Sequence, residues 1–279
     1  MVEATAPARP LRPRRRLTLK RFFNSKIVSI LLYAIVIWLI FRTARTGAEA
    51  MGYNWQWYRV PQFLFKRTED GITIGPLITG LGASILLSGI AFLLSLIIGL
   101  VVAILRLSDL VVGRAVARVF LEVVRNMPLL VLLYVFYYVG GPIFGLDRYV
   151  ASVLCLGVFH GAVVSEIFRA GINSVGRGQW EAAKSIGMTK AQSYRYIILP
   201  QSVRFMLPPM TGEAVNMIKS SAIVSVIAVA ELTTAGRNII SDTYMSFEIW
   251  FTVAMIYMAV TLCLSVFVGY LERRYAVKT

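Results

Sequence analysis

Between Leu77 and Leu105 the chain runs for 29 residues without a charge. At about 1.5 Å per residue a helix of that length covers roughly 44 Å, more than the ~30 Å hydrocarbon core of a bilayer. A run of this kind reads as a membrane span, and the composition agrees. Of 279 residues, 57% are hydrophobic and 15% charged, with a mean hydropathy of +0.69. An ordinary soluble domain is about 45–50% apolar and about 25% charged. Within the run, Gly80, Ser84 and Ser88, then Ser95, Gly99 and Ala103, recur four apart. That spacing predicts one stripe of small residues, against which a second helix can approach closely.

Five other apolar segments follow the same logic. Ile27–Phe41 is a 15-residue uncharged run behind a basic arm, residues 1–26. It reads as an N-terminal transmembrane anchor whose Lys26 and Arg42 snorkel at its ends. A signal peptide, with Ala48-Glu49-Ala50 as its cleavage site, is the alternative. Residues 42–75 read as a polar periplasmic loop rich in aromatics (Tyr53, Trp55, Trp57, Tyr58), either an interfacial belt or a partner-contacting surface. A loop with Arg114 and Arg118 precedes the third span, Phe120–Gly140. Glu122, Arg125, Asn126 and Pro128 open that span, and Gly140-Gly141-Pro142 is predicted to break it. Tyr149–Phe168 is a fourth span, Met206–Glu231 a fifth and Ile249–Leu271 a sixth, the last stopped by Glu272-Arg273-Arg274 before the tail 275–279.

The net charge of +15 comes from 29 Lys and Arg against 14 Asp and Glu. The apolar runs give this excess a topological meaning rather than a nucleic-acid one. With the N-terminus inside, the inner segments carry 21 Lys and Arg and the outer segments 7. The positive-inside rule therefore predicts both termini on the cytoplasmic side of a multi-pass chain in contact with membrane lipid.

The residue supply also removes most enzyme chemistry. There is one histidine, His160, and there are two cysteines, Cys155 and Cys263, both inside apolar runs. Neither a metal site nor a Cys/His nucleophile can be assembled from that supply, and no Gly-Lys-[Ser/Thr] phosphate loop is present. No catalytic residue is assigned. If ATP drives this system, it is bound on another chain.

The inner segment 169–205 carries the functional signal. Gln179–Ile186 is predicted to form a short helix with Ala182, Ala183 and Ile186 on an apolar face, and Gly187 suits a left-handed cap after it. Thr189 with Gln192 forms a capping box for a second helix, which Pro200 is expected to end. The apolar face calls for a partner to cover it.

The order Glu181-Ala182-Ala183, three residues, Gly187, nine residues, Ile197, one residue, Leu199-Pro200 resembles the EAA loop of ABC-importer permeases. The resemblance extends over residues 76–274. Glu122-Val-Val-Arg125-Asn-Met-Pro128, Glu166-Ile-Phe-Arg169, Leu207-Pro208-Pro209-Met210 and Asn216-Met-Ile-Lys219-Ser-Ser221 are similar to the polar amino acid permeases, and Cys155-Leu-Gly-Val-Phe, Arg125-Asn126 and Pro209-Met210-Thr211 through Lys219-Ser-Ser-Ala222-Ile look similar to those for glutamate and aspartate. The resemblance implies an all-α integral membrane protein with the MetI-like permease fold, a five-helix core plus one extra N-terminal transmembrane helix. It implies a permease subunit of an ATP-binding-cassette importer that moves a polar, acidic L-amino acid across the bacterial inner membrane by alternating access. Glutamine, histidine or arginine remain open as cargo. So does a non-transport membrane scaffold, although such a protein would not need the complete loop. An integral membrane enzyme is disfavoured by the scarcity of His and Cys. The implied partners are an ABC ATPase dimer, which holds ATP and Mg, a second permease chain (identical or related) and a periplasmic amino-acid-binding protein. By the same resemblance, the helix carrying Glu181, Ala182, Ala183, Ile186 and Gly187 docks on the ATPase.

Ionisable groups in hydrocarbon are costly and face a cavity or a partner. Lys219 lies mid-span, so it holds either a substrate carboxylate or an internal one, Glu213 or Glu166. For His160 the alternatives are a neutral ring bonded to a backbone carbonyl and a place on the substrate path. Glu166 with Arg169, and Glu122 with Arg125, have the i,i+3 spacing of a helix-end ion pair. Asn216, Ser220 and Ser221 complete the substrate-path candidates, with helix packing as the other reading of the serines.

Overall fold

A computed structural model describes residues 26–68 and 71–275. The basic arm 1–26, save Lys26, and the tail, save residue 275, lie outside the described residues. The chain divides into two compact units, Met1–Trp55 and Gln56–Thr279.

In the first unit, helix α1 runs Lys26–Ala50, well past the expected end at Phe41. The continuation is physically ordinary. Residues 42–50 are mostly good helix formers, Arg45 pairs with Glu49 one turn on at 2.9 Å, and Arg42 lies 5.3 Å from the ring centre of Trp38. Gly52 turns the chain at φ +60°. The apolar window becomes Val28–Gly47, 20 residues, long enough to span.

The second unit opens with short helical turns and strands where a loop is expected. The backbone N–H of Gln56 donates to the buried Glu248 carboxylate at 2.6 Å, and Trp57 packs 6.4 Å from Phe251. Strands β1 (Phe65–Thr68) and β2 (Gly71–Ile74) form an antiparallel hairpin with Phe65 opposite Ile74.

Helix α2 spans Pro76–Leu107, and all six stripe residues Gly80, Ser84, Ser88, Ser95, Gly99 and Ala103 are buried on it. Its main neighbour is α5 (Arg148–Asn173), whose N-terminus Asp147 caps by accepting from the backbone N–H groups of Tyr149 and Val150. At Gly99 the approach is so close that a Cβ would stand 2.5 Å from Val164 Cγ1. Dispersion between backbones, rather than exclusion of water, holds such a contact in a bilayer.

The loop expected around Arg114 and Arg118 is a helix, α3, Val111–Arg125. Ala117, Leu121 and Val124 bury one face of it, which is why a sequence with arginines every few residues still folds there. Asn126-Met127-Pro128 ends it, because a proline disfavours helical backbone in the residue before it. The chain turns by 106° into α4, Leu129–Phe144. The third span is therefore not one helix over 120–140. Nor does Gly140-Gly141-Pro142 break it. A wide π turn over Val135–Gly140 precedes the proline, which sits in the first turn of the next piece, where its missing N–H costs nothing. The stop is Gly145, at φ +66°.

Pro200 likewise fails to end its helix. After α6 (Arg177–Ser185), α7 runs Lys190–Ile227 in four pieces: an α turn, a π turn over Tyr194–Ile198, the α-helix Leu199–Ser221 and a 3-10 end. The π turn again reroutes the carbonyls ahead of the proline, with the Leu199 N–H donating to the Tyr194 carbonyl. Glu231, expected as the outer end of the fifth span, instead caps α8 (Leu232–Thr243). Its carboxylate accepts from the N–H groups of Thr233 and Thr234 at 2.8 and 2.6 Å, from Tyr257 Oη at 2.9 Å and from Ser84 Oγ at 3.3 Å. Helix α9 runs Ser246–Tyr275. Among the described residues four helices are long and apolar enough to cross a membrane, and the two bent pairs bring the number to as many as six.

Candidate coupling surface and intramembrane polar residues

Helix α6 ends in a Schellman motif. The N–H of Met188 donates to the Ala183 carbonyl at 3.1 Å, and that of Gly187 to the Lys184 carbonyl at 3.0 Å. Gly187 stands at φ +77° with nothing within 4 Å of the position a Cβ would take. Its role is thus backbone conformation and not close packing. The next turn is locked by the expected capping box, Gln192 N–H to Thr189 Oγ1 and Thr189 N–H to Gln192 Oε1. One part of the expected apolar face is revised. Ala183 is fully buried, and Trp180 on the same helix packs edge-on against Tyr194 with centroids 5.0 Å apart. That side anchors α6 to its own chain. Glu181, Ala182 and Ile186 are exposed, Ile186 by 71%, and form the outward surface.

Two side-chain links tie this segment down. Gln201 Nε2 donates to Gln179 Oε1 at 3.2 Å, and Lys190 Nζ meets Asp109 Oδ2 at 2.6 Å. The Lys190 ammonium holds the exposed Asp109 carboxyl below its ordinary pKa.

Inside the spans, the pairings differ from those expected. His160 bonds a carboxylate and not a backbone carbonyl: its Nδ1 lies 2.6 Å from Glu213 Oε1, and both groups are buried. With Glu213 ionised, Nδ1 carries the proton. Asn216 Nδ2 donates to the other oxygen of Glu213 at 3.2 Å. Glu213 is thus a hub, joined to His160 and Asn216 rather than to Lys219; spacing alone leaves open which in-span carboxylate meets which in-span cation.

Glu166 is a second hub. Arg169 binds its Oε2 at 2.9 Å with the expected i,i+3 spacing. Its Oε1 takes Arg106 from the end of α2, and Arg125 from α3 at 3.5 Å. The expected Glu122–Arg125 pair does not form; Glu122 accepts from Asn126 Nδ2 at 3.1 Å instead. Both carboxylates considered for Lys219 are therefore engaged elsewhere. Among the described residues Lys219 has no ion pair, and it lies exposed with Asn216 on one face of α7. Ser221 is buried and donates to the Ile218 carbonyl, while Ser220 is partly exposed.

Comparison with known proteins places these features. Residues 95–277 match the family described as binding-protein-dependent transport system inner membrane component. The glutamine transport system permease protein GlnP of Escherichia coli (strain K12) is 34% identical over 201 residues, covering 71% of this chain and 92% of the relative. The glutamate/aspartate import permease protein GltJ of the same organism is 28% identical over 240 residues, covering 80% of this chain and 96% of the relative. Among solved structures, the crystal structure of an amino acid ABC transporter with histidines is similar at a TM-score of 0.68 and 40% identity, over 71% of this chain and 94% of that one.

Proposed function

We propose a cargo and a coupling route for this chain, which belongs to the binding-protein-dependent transport system inner membrane components. It is a multi-pass permease subunit of an amino-acid ABC importer, not an enzyme. It carries no cofactor; nucleotide is bound by the partner ATPase, and the importer further includes a substrate-binding protein and a second permease.

The proposed cargo is a polar L-amino acid on the glutamine–glutamate skeleton. The observation that carries this reading is the pair Asn216 and Lys219, exposed together on α7 three residues apart: an amide, and an ammonium with no ion pair among the described residues. A zwitterion with a polar side chain presents a carboxylate, which Lys219 can meet, and a further polar group, which Asn216 can meet, while its ammonium is left to another element of the importer. Glutamine, the amino acid in the name of GlnP, fits with its carboxylate on Lys219 and its side-chain amide on Asn216. Glutamate or aspartate, named for GltJ, adds a second carboxylate and asks for a second cation. In either case Lys219 serves the substrate. Lys219→Met should leave membrane abundance and ATPase association unchanged while uptake of labelled glutamine and glutamate falls at least tenfold. Full uptake at normal abundance would sink the assignment. Competition between the two labelled amino acids in the wild type decides the cargo.

The proposed coupling route is the surface of Glu181, Ala182 and Ile186, docked on an ATPase dimer. A displacement there is carried along α7, whose continuous axis runs from Lys190 past Lys219. This route requires both termini and the coupling segment to lie in the cytoplasm. The 21-to-7 partition of Lys and Arg supports that orientation.

A further inference from the structure

We propose that the arginine-lined cavity between α3 and the inner ends of α2 and α5 binds the phosphate of an anionic membrane lipid. The cavity encloses about 350 Å³ and is lined by Arg106, Arg118, Leu121, Glu122, Arg125, Asn126 and Glu166. Three guanidinium groups face two carboxylates, and Arg169 occupies the second oxygen of Glu166, so the local balance is positive. The positive charge is also available. Arg118 is exposed and has no hydrogen-bond or ion-pair partner among the described residues. Arg125 is 56% exposed and reaches Glu166 only at 3.5 Å, beyond the usual hydrogen-bond range. Both carboxylates, by contrast, are already engaged. An anion entering the cavity would therefore meet unspent N–H donors without having to break an ion pair.

The geometry of α3 selects the lipid as the source of that anion. The helix is turned 106° from α4, so it cannot continue the span that α4 makes. With α4 as the crossing segment, α3 lies across the membrane direction. Val112, Val116, Val119 and Val123 are spaced four, three and four apart and are all more than half exposed, Val112 by 75%. The arginines at 114, 118 and 125 occupy other positions around the same helix. A helix with an uncovered valine stripe and a basic face rests in the interface, with valines in the acyl region and arginines at headgroup level. Basic pockets between span ends on the cytoplasmic side are suited to phosphate headgroups. The inner-leaflet placement rests on the orientation proposed above; the anion site itself does not.

The test uses the whole transporter with its ATPase, exchanged into mixed phosphatidylglycerol and phosphatidylcholine bilayers, with retained lipid counted by native mass spectrometry. The wild type should retain phosphatidylglycerol in preference to phosphatidylcholine. Arg118→Gln, which breaks no ion pair, should weaken that retention about fivefold, and Arg118→Gln with Arg125→Gln about thirtyfold, from roughly 1 kcal/mol per arginine at a charged interface. Arg114→Gln, on the same helix but outside the cavity, should weaken that retention less than Arg118→Gln does. Equal retention of the two lipids, or an equal loss in Arg114→Gln, would overturn the site. Displacement of the bound lipid by millimolar inorganic phosphate would mean that the cavity takes a soluble anion, which also overturns it. Lipid retention needs no transport, so a failure of uptake in the same preparation bears on the permease reading alone. Thiol labelling at position 190 reports the side of the membrane independently.

Discussion

In the coupling segment the geometry is set within a few residues. Met188 bonds Ala183, Gly187 bonds Lys184, and Thr189 and Gln192 bond each other. Inside the spans, polar contacts join residues far apart in sequence: His160 meets Glu213 across 53 positions, and Ser84 meets Glu231 across 147. The first region can keep its shape while it is pushed. The second holds the helices in register, and a lost partner leaves a polar group stranded where water cannot reach it. Damage to the two regions should therefore look different: lost transport in one, lost protein in the other.

The sharpest way to break this contrast is at the buried pair. Glu213→Ala leaves His160 and Asn216 without their acceptor. Removing one member of a buried pair costs about 3–5 kcal/mol. Membrane abundance and thermal stability should fall together. A stable, abundant Glu213→Ala protein that merely fails to transport would move Glu213 out of the structural set.

Gly187→Val comes next. A β-branched residue at φ +77° carries about 1–3 kcal/mol of local strain and misplaces the end of α6, with no neighbour to clash against. ATPase association and uptake should drop while insertion persists. Uptake at the wild-type level would show that the left-handed turn is dispensable.

The smallest effect is expected at Asp109. Its bridge to Lys190 is solvent-exposed on both sides, so Asp109→Asn should leave stability and uptake within error of the wild type. The sign of its pH dependence follows from the lowered carboxyl pKa. Whatever the bridge adds is present at neutral pH and is lost as the pH falls through that lowered value. A marked loss of uptake in Asp109→Asn would make this link part of the coupling path.

The same contrast governs what could be read from sequence. The Schellman glycine, the capping box and the small-residue stripe of α2 depend on spacing alone, and all three stand where the spacing put them. The partners of His160, Arg125 and Lys219 depend on which helix faces which, and spacing carries no such information. The prolines misled for a related reason. Pro142 and Pro200 forbid one hydrogen bond each, but a π turn ahead of each absorbs the loss. Only Pro128, joined to Asn126 and a change of burial face, produces a sharp bend. Residues 42–50 are polar and yet helical, because polarity by itself does not oppose a helix.

The most direct test of the coupling account is a cross-link from position 186 to the ATPase. Ile186 is exposed, beyond the anchored side of α6. A cysteine there, in an otherwise cysteine-free transporter that still imports its amino acid, should cross-link to the ATPase subunit through a short bifunctional reagent, with the yield changing between nucleotide-free and ATP-bound states. If the transporter remains active and position 186 instead reacts with an impermeant thiol reagent from outside intact cells, with no ATPase adduct in either state, the coupling surface has been assigned to the wrong part of the chain.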